Sequence, residues 1–192
     1  ASAGLMKADG RFVAYRPGNA TIVAEAQGSR ADSVITIFPR QVPTGTFSVV
    51  GHGEVFDRFT SDLWLKDTFA YTGTWGTRNS GAGPFQGNRL YVWNISNPSS
   101  PTITDSVVVT AGTVNDVKIR DDGALAVLTH EGSADGLNGI TLLDLADPLH
   151  PQVISRFTDT LERGVHNVWI DGDFVYAAVD GSSQVSGLRI LD

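Results

Sequence analysis

The sequence predicts an all-β protein, because apolar and polar residues alternate with a period of two along much of the chain and turn motifs separate the alternating segments. The alternating segments are rich in Val, Ile, Leu, Thr and aromatic residues, which favour strands. They span residues 21–26, 33–38, 62–65, 90–95, 116–120, 124–129, 140–145, 166–170 and 174–179. Asp121-Asp122-Gly123 and Asp171-Gly172-Asp173 each separate two of them and are typical of hairpin turns.

Internal repeats indicate which kind of all-β fold the chain adopts. The motif LYVWN at residues 90–94 recurs as ITLLD at 140–144 and as LRILD at 188–192. In the first two copies, prolines follow four and seven residues after the motif. A second motif precedes each copy, at residues 61–65, 115–119 and 166–170. Each unit therefore holds about four strands in roughly 50 residues, which is the size of a β-propeller blade.

The amino-acid sequence of these repeats resembles the LVIVD repeat of bacterial propeller proteins. The strings that carry the resemblance are LYVWNISNPSSP, ITLLDLADPLHP and LRILD, with DLWLKDTFAYTGTW and VHNVWIDGDFVYAAVDG resembling the hairpin that precedes them. The resemblance implies an exported or cell-surface bacterial protein and transfers no catalytic residue. We expect three blades, at residues 61–109, 114–157 and 165–192, the last of them incomplete because it ends before a proline turn.

The residues before the blades are expected to form a different module. The segment GRFVAYRPGNATIVAEAQGSRADSVITIFP resembles the last strands of a group 2 bacterial Ig-like domain, so residues 1–40 are predicted to form part of an Ig-like β-sandwich. Residues 41–60 are predicted to be a linker followed by one strand that enters the propeller. Because both modules would be partial, we expect the chain to be a piece of a longer polypeptide.

Composition excludes several classes of function. The 192 residues carry a formal net charge of −7, and no basic face of the kind that nucleic-acid binding requires is evident. The chain has no cysteine, which excludes disulfides, zinc-thiolate sites and a cysteine nucleophile. No apolar run is long enough to predict a transmembrane helix.

Asp62, Asp116 and His166 are candidate ligands for a divalent metal. They occupy the start of the first strand in each repeat, and in a propeller these positions surround one mouth of the central channel. A histidine with two carboxylates there can bind a divalent metal. The alternative is structural: polar side chains at strand starts would bond to backbone groups of the neighbouring blade. Otherwise we expect no cofactor.

Trp75, Arg78 and Asn79 are candidate binding residues. They fall in a glycine-rich segment, residues 73–87, which the sequence predicts to be a long loop. Loops on a rigid scaffold commonly carry binding residues, and an exposed tryptophan can stack on a sugar. Trp64 and Trp169 share one repeat position and are predicted to pack between blades instead.

Three hypotheses about function follow. The leading one is a non-catalytic interaction or display module of an exported or cell-surface bacterial protein, with a protein or a surface glycan as its partner. The second is a propeller enzyme, either a hydrolase or a metal-dependent oxidoreductase, with its site at the channel mouth. The third is carbohydrate binding. No nucleophile elbow or phosphate-binding loop supports a particular reaction.

Overall fold

The computed structural model of the chain describes residues 3–40, 45–180 and 186–192, and these residues form strands, turns and irregular segments without a helix. The predicted all-β class is therefore confirmed. No helix in the described ranges could cross a membrane. The chain divides into two compact units, residues 1–48 and residues 49–192.

The first unit contains two two-stranded antiparallel sheets. β1 (Gly4–Met6) pairs with β2 (Phe12–Ala14), and β3 (Gly18–Ala26) pairs with β4 (Ser29–Ile37). Gln27 and Gly28 join β3 to β4 with positive φ angles of 48° and 79°, which is the backbone of a tight hairpin turn. The two long strands match the predicted segments, whereas the Ig-like sandwich stays a prediction.

The second unit contains three larger antiparallel sheets. Its first sheet has four strands, in the spatial order β10-β9-β6-β5, and the second has four in the order β11-β12-β13-β14. The third sheet has three strands, in the order β15-β16-β17. These strands are β5 (Phe59–Lys66), β6 (Phe69–Trp75), β9 (Arg89–Asn94), β10 (Thr102–Val108), β11 (Val117–Ile119), β12 (Leu125–His130), β13 (Gly139–Asp144), β14 (Gln152–Phe157), β15 (Val165–Asp171), β16 (Phe174–Val179) and β17 (Gly187–Leu191).

The three sheets follow the repeats of the sequence. The motifs at residues 90–94, 140–144 and 188–192 form the third strand of their sheets, β9, β13 and β17. The paired prolines lie between the third and fourth strands of the first two sheets, as predicted, where a missing N–H donor interrupts no ladder. The sheets thus have the order and size expected of propeller blades.

Two of the expected features differ from the structure. The described residues 45–58 contain no strand, so the sheet begins at Phe59 without the predicted entry strand; residues 41–44 lie outside the described ranges. The predicted loop at 73–87 is largely ordered instead. β6 continues to Trp75, and β7 (Thr77–Ser80) then pairs with β8 (Gly83–Gln86) in a short hairpin. Gly76 lies at the bend before β7 and Gly81 in the turn between β7 and β8, and these glycines make the segment resemble a loop in the sequence.

Hydrophobic contacts between successive sheets form the core of this unit. Leu90 and Val92 of the first sheet are fully buried in one cluster with Val117 and Ile119 of the second. Ile140 of the second sheet is buried in another cluster with Val168 and Ile170 of the third. Apolar residues of β9 thus share a buried cluster with those of β11, and Ile140 of β13 shares one with those of β15. This burial is the main favourable term holding the three sheets together.

His130, the last residue of β12, is a buried polar exception. Its side chain is fully buried, and its Nε2 lies 2.8 Å from the Thr141 hydroxyl. Its Nδ1 is buried with no hydrogen-bond partner among the described residues. Burial, together with the nearby positive charge of Arg156, lowers the pKa of His130 to about 4.

We predict that this histidine makes folding sensitive to mild acid. Between its unfolded pKa of about 6.5 and the folded value, the unfolded chain binds a proton that the native chain does not, so stability falls as the pH drops through that window. Between pH 7 and pH 5 the expected loss in free energy of unfolding is about 2 kcal/mol. Urea unfolding at both pH values measures it.

His130→Gln should remove this loss, whereas His52→Gln, at a surface histidine, should keep it. Equal pH dependence in the wild type and in His130→Gln would contradict the assignment.

Candidate functional site

A polar pocket of about 310 Å³ lies where the first strands of the three sheets begin. All three sheets contribute to its lining, which consists of Thr60, Ser61, Asp62, Trp75, Asn115, Asp116 and Asn167. Ser61 and Asn115 share one repeat position, and Asp62, Asp116 and Asn167 share the next. The repeat therefore assembles similar polar groups around one opening, which we call the mouth pocket.

Each aspartate in the mouth pocket bonds to the backbone of the following sheet. Asp62 Oδ2 accepts a hydrogen bond from the backbone N–H of Val117 at 3.1 Å. Asp116 Oδ2 accepts one from the backbone N–H of Val168 at 2.7 Å. Val117 and Val168 occupy the same repeat position, so the two bonds are repeats of one contact. Charge-assisted bonds of this kind are among the stronger hydrogen bonds in proteins.

Lys118 lies between the two aspartates. Its Nζ donates to Asp62 Oδ2 at 2.9 Å and also to Asp116 Oδ1. It lies 5.1 Å from the centre of the Trp64 ring, and Trp64 in turn contacts Trp169 edge to face, with ring centres 5.8 Å apart. Lys118 stands at the same repeat position as Trp64 and Trp169. The three side chains therefore lie close together, each on the first strand of its sheet.

The charges of this trio are set by burial and by their mutual bonds. Burial opposes ionisation of Asp62, but bonds with Asp116, Lys118 and backbone N–H groups outweigh it and lower its pKa to about 2. Burial and the bond to Asp62 raise the pKa of Asp116. Burial lowers the pKa of Lys118, yet its bonds to both carboxylates outweigh that and raise it. The two carboxyl groups therefore favour the charged form of Lys118, which lies between them.

Ser61 and Asn115 add a second set of bonds between the sheets. Ser61 Oγ donates to the backbone carbonyl of Val114 at 2.5 Å, and Asn115 Nδ2 donates to the backbone carbonyl of His166 at 2.8 Å. Gly73 makes the first contact sterically feasible, since a Cβ there would lie 2.5 Å from both Ser61 Oγ and the Val114 carbonyl. Any larger residue at position 73 would force the two sheets apart.

Of the three predicted binding residues, only Trp75 lines the mouth pocket. Its side chain is 55% exposed at the end of β6. Arg78 is held by the segment that leads into β5: its Nη1 donates to the backbone carbonyls of Val55 and Arg58, and its guanidinium lies 5.3 Å from the centre of the Phe59 ring. Asn79 is exposed on β7 and is not part of the pocket lining.

The structure brings together two of the three predicted metal ligands. Asp62 and Asp116 both form ion pairs with Lys118, whose positive charge offsets the negative charge that would attract a metal cation. His166 has other partners, and it is the extra residue of a β-bulge between Val165 and Asn167. Its Nδ1 lies 2.9 Å from Glu131 Oε1 and 3.1 Å from Asn115 Nδ2. A metal shared by Asp62, Asp116 and His166 stays a prediction that these contacts do not favour.

A different set of potential ligands surrounds His166. Ligand atoms of Glu131, His166 and Asp180 all lie within 4.8 Å of one another. Glu131 follows β12 and Asp180 follows β16, so sequence spacing alone gives no reason to group them with His166. Lys118 and Asn167 were likewise missed as site residues, although Lys118 interrupts a repeat position occupied by tryptophan and that irregularity is visible in the sequence.

Replacing Asp116 should show that the mouth pocket is part of the scaffold. Asp116→Ala leaves the Val168 N–H without its acceptor and Lys118 without one of its two anions, so we expect the free energy of unfolding to fall by about 3 kcal/mol. Asp116→Asn keeps an acceptor and should lose about 1 kcal/mol. Urea unfolding measures both, and the control Asp159→Ala, at an exposed turn residue, should change little. Similar stability of Asp116→Ala and Asp159→Ala would refute the structural role.

Comparison with known families supports the repeat assignment. The model of the LVIVD repeat matches residues 84–109 and 162–192. The first match includes β9 and β10 with the proline turn between them, and the second includes β15, β16 and β17. No curated protein matches the chain. These matches and the sheet order together support a repeat-containing, propeller-like protein.

Proposed function

We propose that this chain is a non-catalytic interaction module and that the mouth pocket, with Trp75 at its rim, is its ligand-binding surface. The observation that carries the proposal is the convergence of three sheets on one polar opening beside a half-exposed tryptophan. Ligand sites are commonly concave places where convergent polar groups meet an apolar surface, and both are present at this opening.

The carboxyl groups of the pocket support a binding role over a catalytic one. A general acid or base must be able to exchange its proton with a substrate. Asp62 and Asp116 instead accept backbone N–H groups of the next sheet and share Lys118. Such fixed groups suit a rigid recognition surface, in which few side chains lose freedom when a ligand binds.

A hydroxyl-rich glycan is the ligand class that fits the pocket best. The exposed indole of Trp75 offers a flat apolar face for a sugar ring. The Asn167 amide can both donate and accept hydrogen bonds, as sugar hydroxyls do. Ser61 and Asn115, whose donors bond to Val114 and His166, offer acceptor oxygens. A glycan partner also agrees with the exported, cell-surface location that the LVIVD resemblance implies, which we include in the proposal.

Binding to a glycan array, followed by calorimetric titration of the best ligand, tests this proposal. Trp75→Ala should weaken binding by about tenfold or more, because stacking on the indole is lost. Trp75→Phe should retain most of the affinity. The matched control is Phe174→Ala, which removes an aromatic ring of 45% exposure that is not part of the pocket lining. A silent array, or equal effects of Trp75→Ala and Phe174→Ala, would reject the glycan site.

A metal-dependent activity is the second candidate, and one observation favours it. The ligand atoms of Glu131, His166 and Asp180 lie close enough together to coordinate a single ion. Two carboxylates with one imidazole suit divalent first-row metals. His166 Nδ1 lies 2.9 Å from Glu131 Oε1 and 3.1 Å from Nδ2 of Asn115, which lines the mouth pocket, so a metal here would border the glycan surface.

Titration with Zn²⁺ and Mn²⁺ by calorimetry tests the metal site directly. If it exists, His166→Ala should weaken binding by about 100-fold, because one of three protein ligands is lost. His150→Ala is the matched control, since His150 pairs with a single carboxylate, Asp105, at 2.9 Å. The absence of saturable binding, or an equal loss in both variants, would eliminate this candidate.

A further inference from the structure

The mouth pocket is rich in hydrogen-bond acceptors. The Ser61 hydroxyl donates its hydrogen to the backbone carbonyl of Val114 at 2.5 Å, so its oxygen is left to accept a bond. The amide nitrogen of Asn115 is engaged by His166, at 2.8 Å from its carbonyl and 3.1 Å from its Nδ1, so the amide oxygen is left for a ligand. A ligand that complements these two side chains must therefore supply donors.

The charge that the mouth pocket exposes is negative. Within the described ranges its lining includes two acidic residues, Asp62 and Asp116, and no lysine or arginine. Lys118 pairs with both, yet only 12% of its side chain is exposed, compared with 33% for Asp62 and 3% for Asp116. A ligand thus meets the Asp62 carboxylate, whose pKa of about 2 keeps it ionised near neutral pH. Such a group attracts cations and repels anions.

The position of Asp62 is fixed by the first two sheets of the second unit. Ser61 and Asp62 stand opposite the single residue Gly73, where the pairing of β5 with β6 shifts register. A bulge of this kind changes the direction of the side chains that it contains. Val117 and Lys118 of the second sheet then hold the carboxylate by hydrogen bonds. Both sheets have four strands, so this arrangement does not depend on the third sheet.

We propose that the ligand of the mouth pocket is an amino sugar, with its protonated amino group on the Asp62 carboxylate and its ring on the Trp75 indole. The amino sugar is a narrower class of the glycan ligand proposed above and depends on that proposal. An ammonium group supplies three donors and no acceptor, which complements Ser61 and Asn115. Its charge complements Asp62, and a cation near a tryptophan ring gains a further attraction.

Calorimetric titration with three oligosaccharides of equal length tests the ligand class, in a mildly acidic buffer that keeps the amine protonated. The tetramer of glucosamine should bind about tenfold more tightly than that of N-acetylglucosamine, because a charge-assisted hydrogen bond is gained. The tetramer of galacturonic acid should bind most weakly, since its carboxylates are repelled. Added salt should reduce the preference for the amine, because it screens a partly exposed charge.

Replacing Asp62 tests whether its carboxylate recognises the amine. Asp62→Asn removes the charge and should reduce the tenfold preference for glucosamine to about twofold or less. Asp62→Glu keeps the charge and should retain most of the preference. Asp57→Asn is the matched control: the Asp57 side chain is also 33% exposed and paired with one cation, Arg58, but it does not line the pocket. Circular dichroism checks that each variant is folded.

A tetralysine peptide, which carries amines without a sugar ring, should bind more weakly than the glucosamine tetramer. If no tetramer binds, glycan binding and the amino-sugar assignment both fail. If the tetramers bind but the amine brings no advantage, glycan binding stands and the amino-sugar assignment is overturned. It is also overturned if the advantage survives in Asp62→Asn or at high salt, or if tetralysine binds as tightly as the glucosamine tetramer.

Discussion

The hydrogen bond from an aspartate of one sheet to a backbone N–H of the next is the contact on which the rest of the second unit depends. It fixes the register between sheets, because only one N–H of the following strand meets each carboxylate. With that register set, the apolar residues of the third strand face those of the next first strand. Burial supplies most of the stabilising free energy, and the carboxylate determines which residues are buried together.

The same constraint places the mouth pocket. Side chains that join the sheets must lie at the strand starts, so the polar groups of three repeats gather around one opening. Lys118 allows two carboxyl groups to stand close together there, since its cation offsets their repulsion. Trp75 reaches this opening because β6 continues farther than the glycine-rich sequence suggests. Scaffold and candidate binding surface are therefore built from the same residues.

Repeat spacing allowed the sheets to be predicted, whereas the contacts within the site were only partly predictable. A motif recurring about every 50 residues defines the strand order, and Asp62 and Asp116 stand out because they share a register. The environment of His166 could not be predicted, because it is the extra residue of a bulge beside Glu131 and strand periodicity carries no signal for a bulge. The β7–β8 hairpin was missed for a related reason, since its strands are only four residues long and glycines lie both at the bend before it and in its turn.

The two aspartate bonds between the sheets have the same direction along the chain, because in each the side chain of one repeat accepts a hydrogen bond from the backbone of the next. This polarity gives the array a simple modularity. If one whole repeat were duplicated or deleted, every remaining junction would keep its hydrogen-bond donor and acceptor. If only part of a repeat were exchanged, an aspartate would be separated from the strand that follows its sheet. Because the backbone supplies the donor, the next repeat can vary its side chains freely without losing this connection.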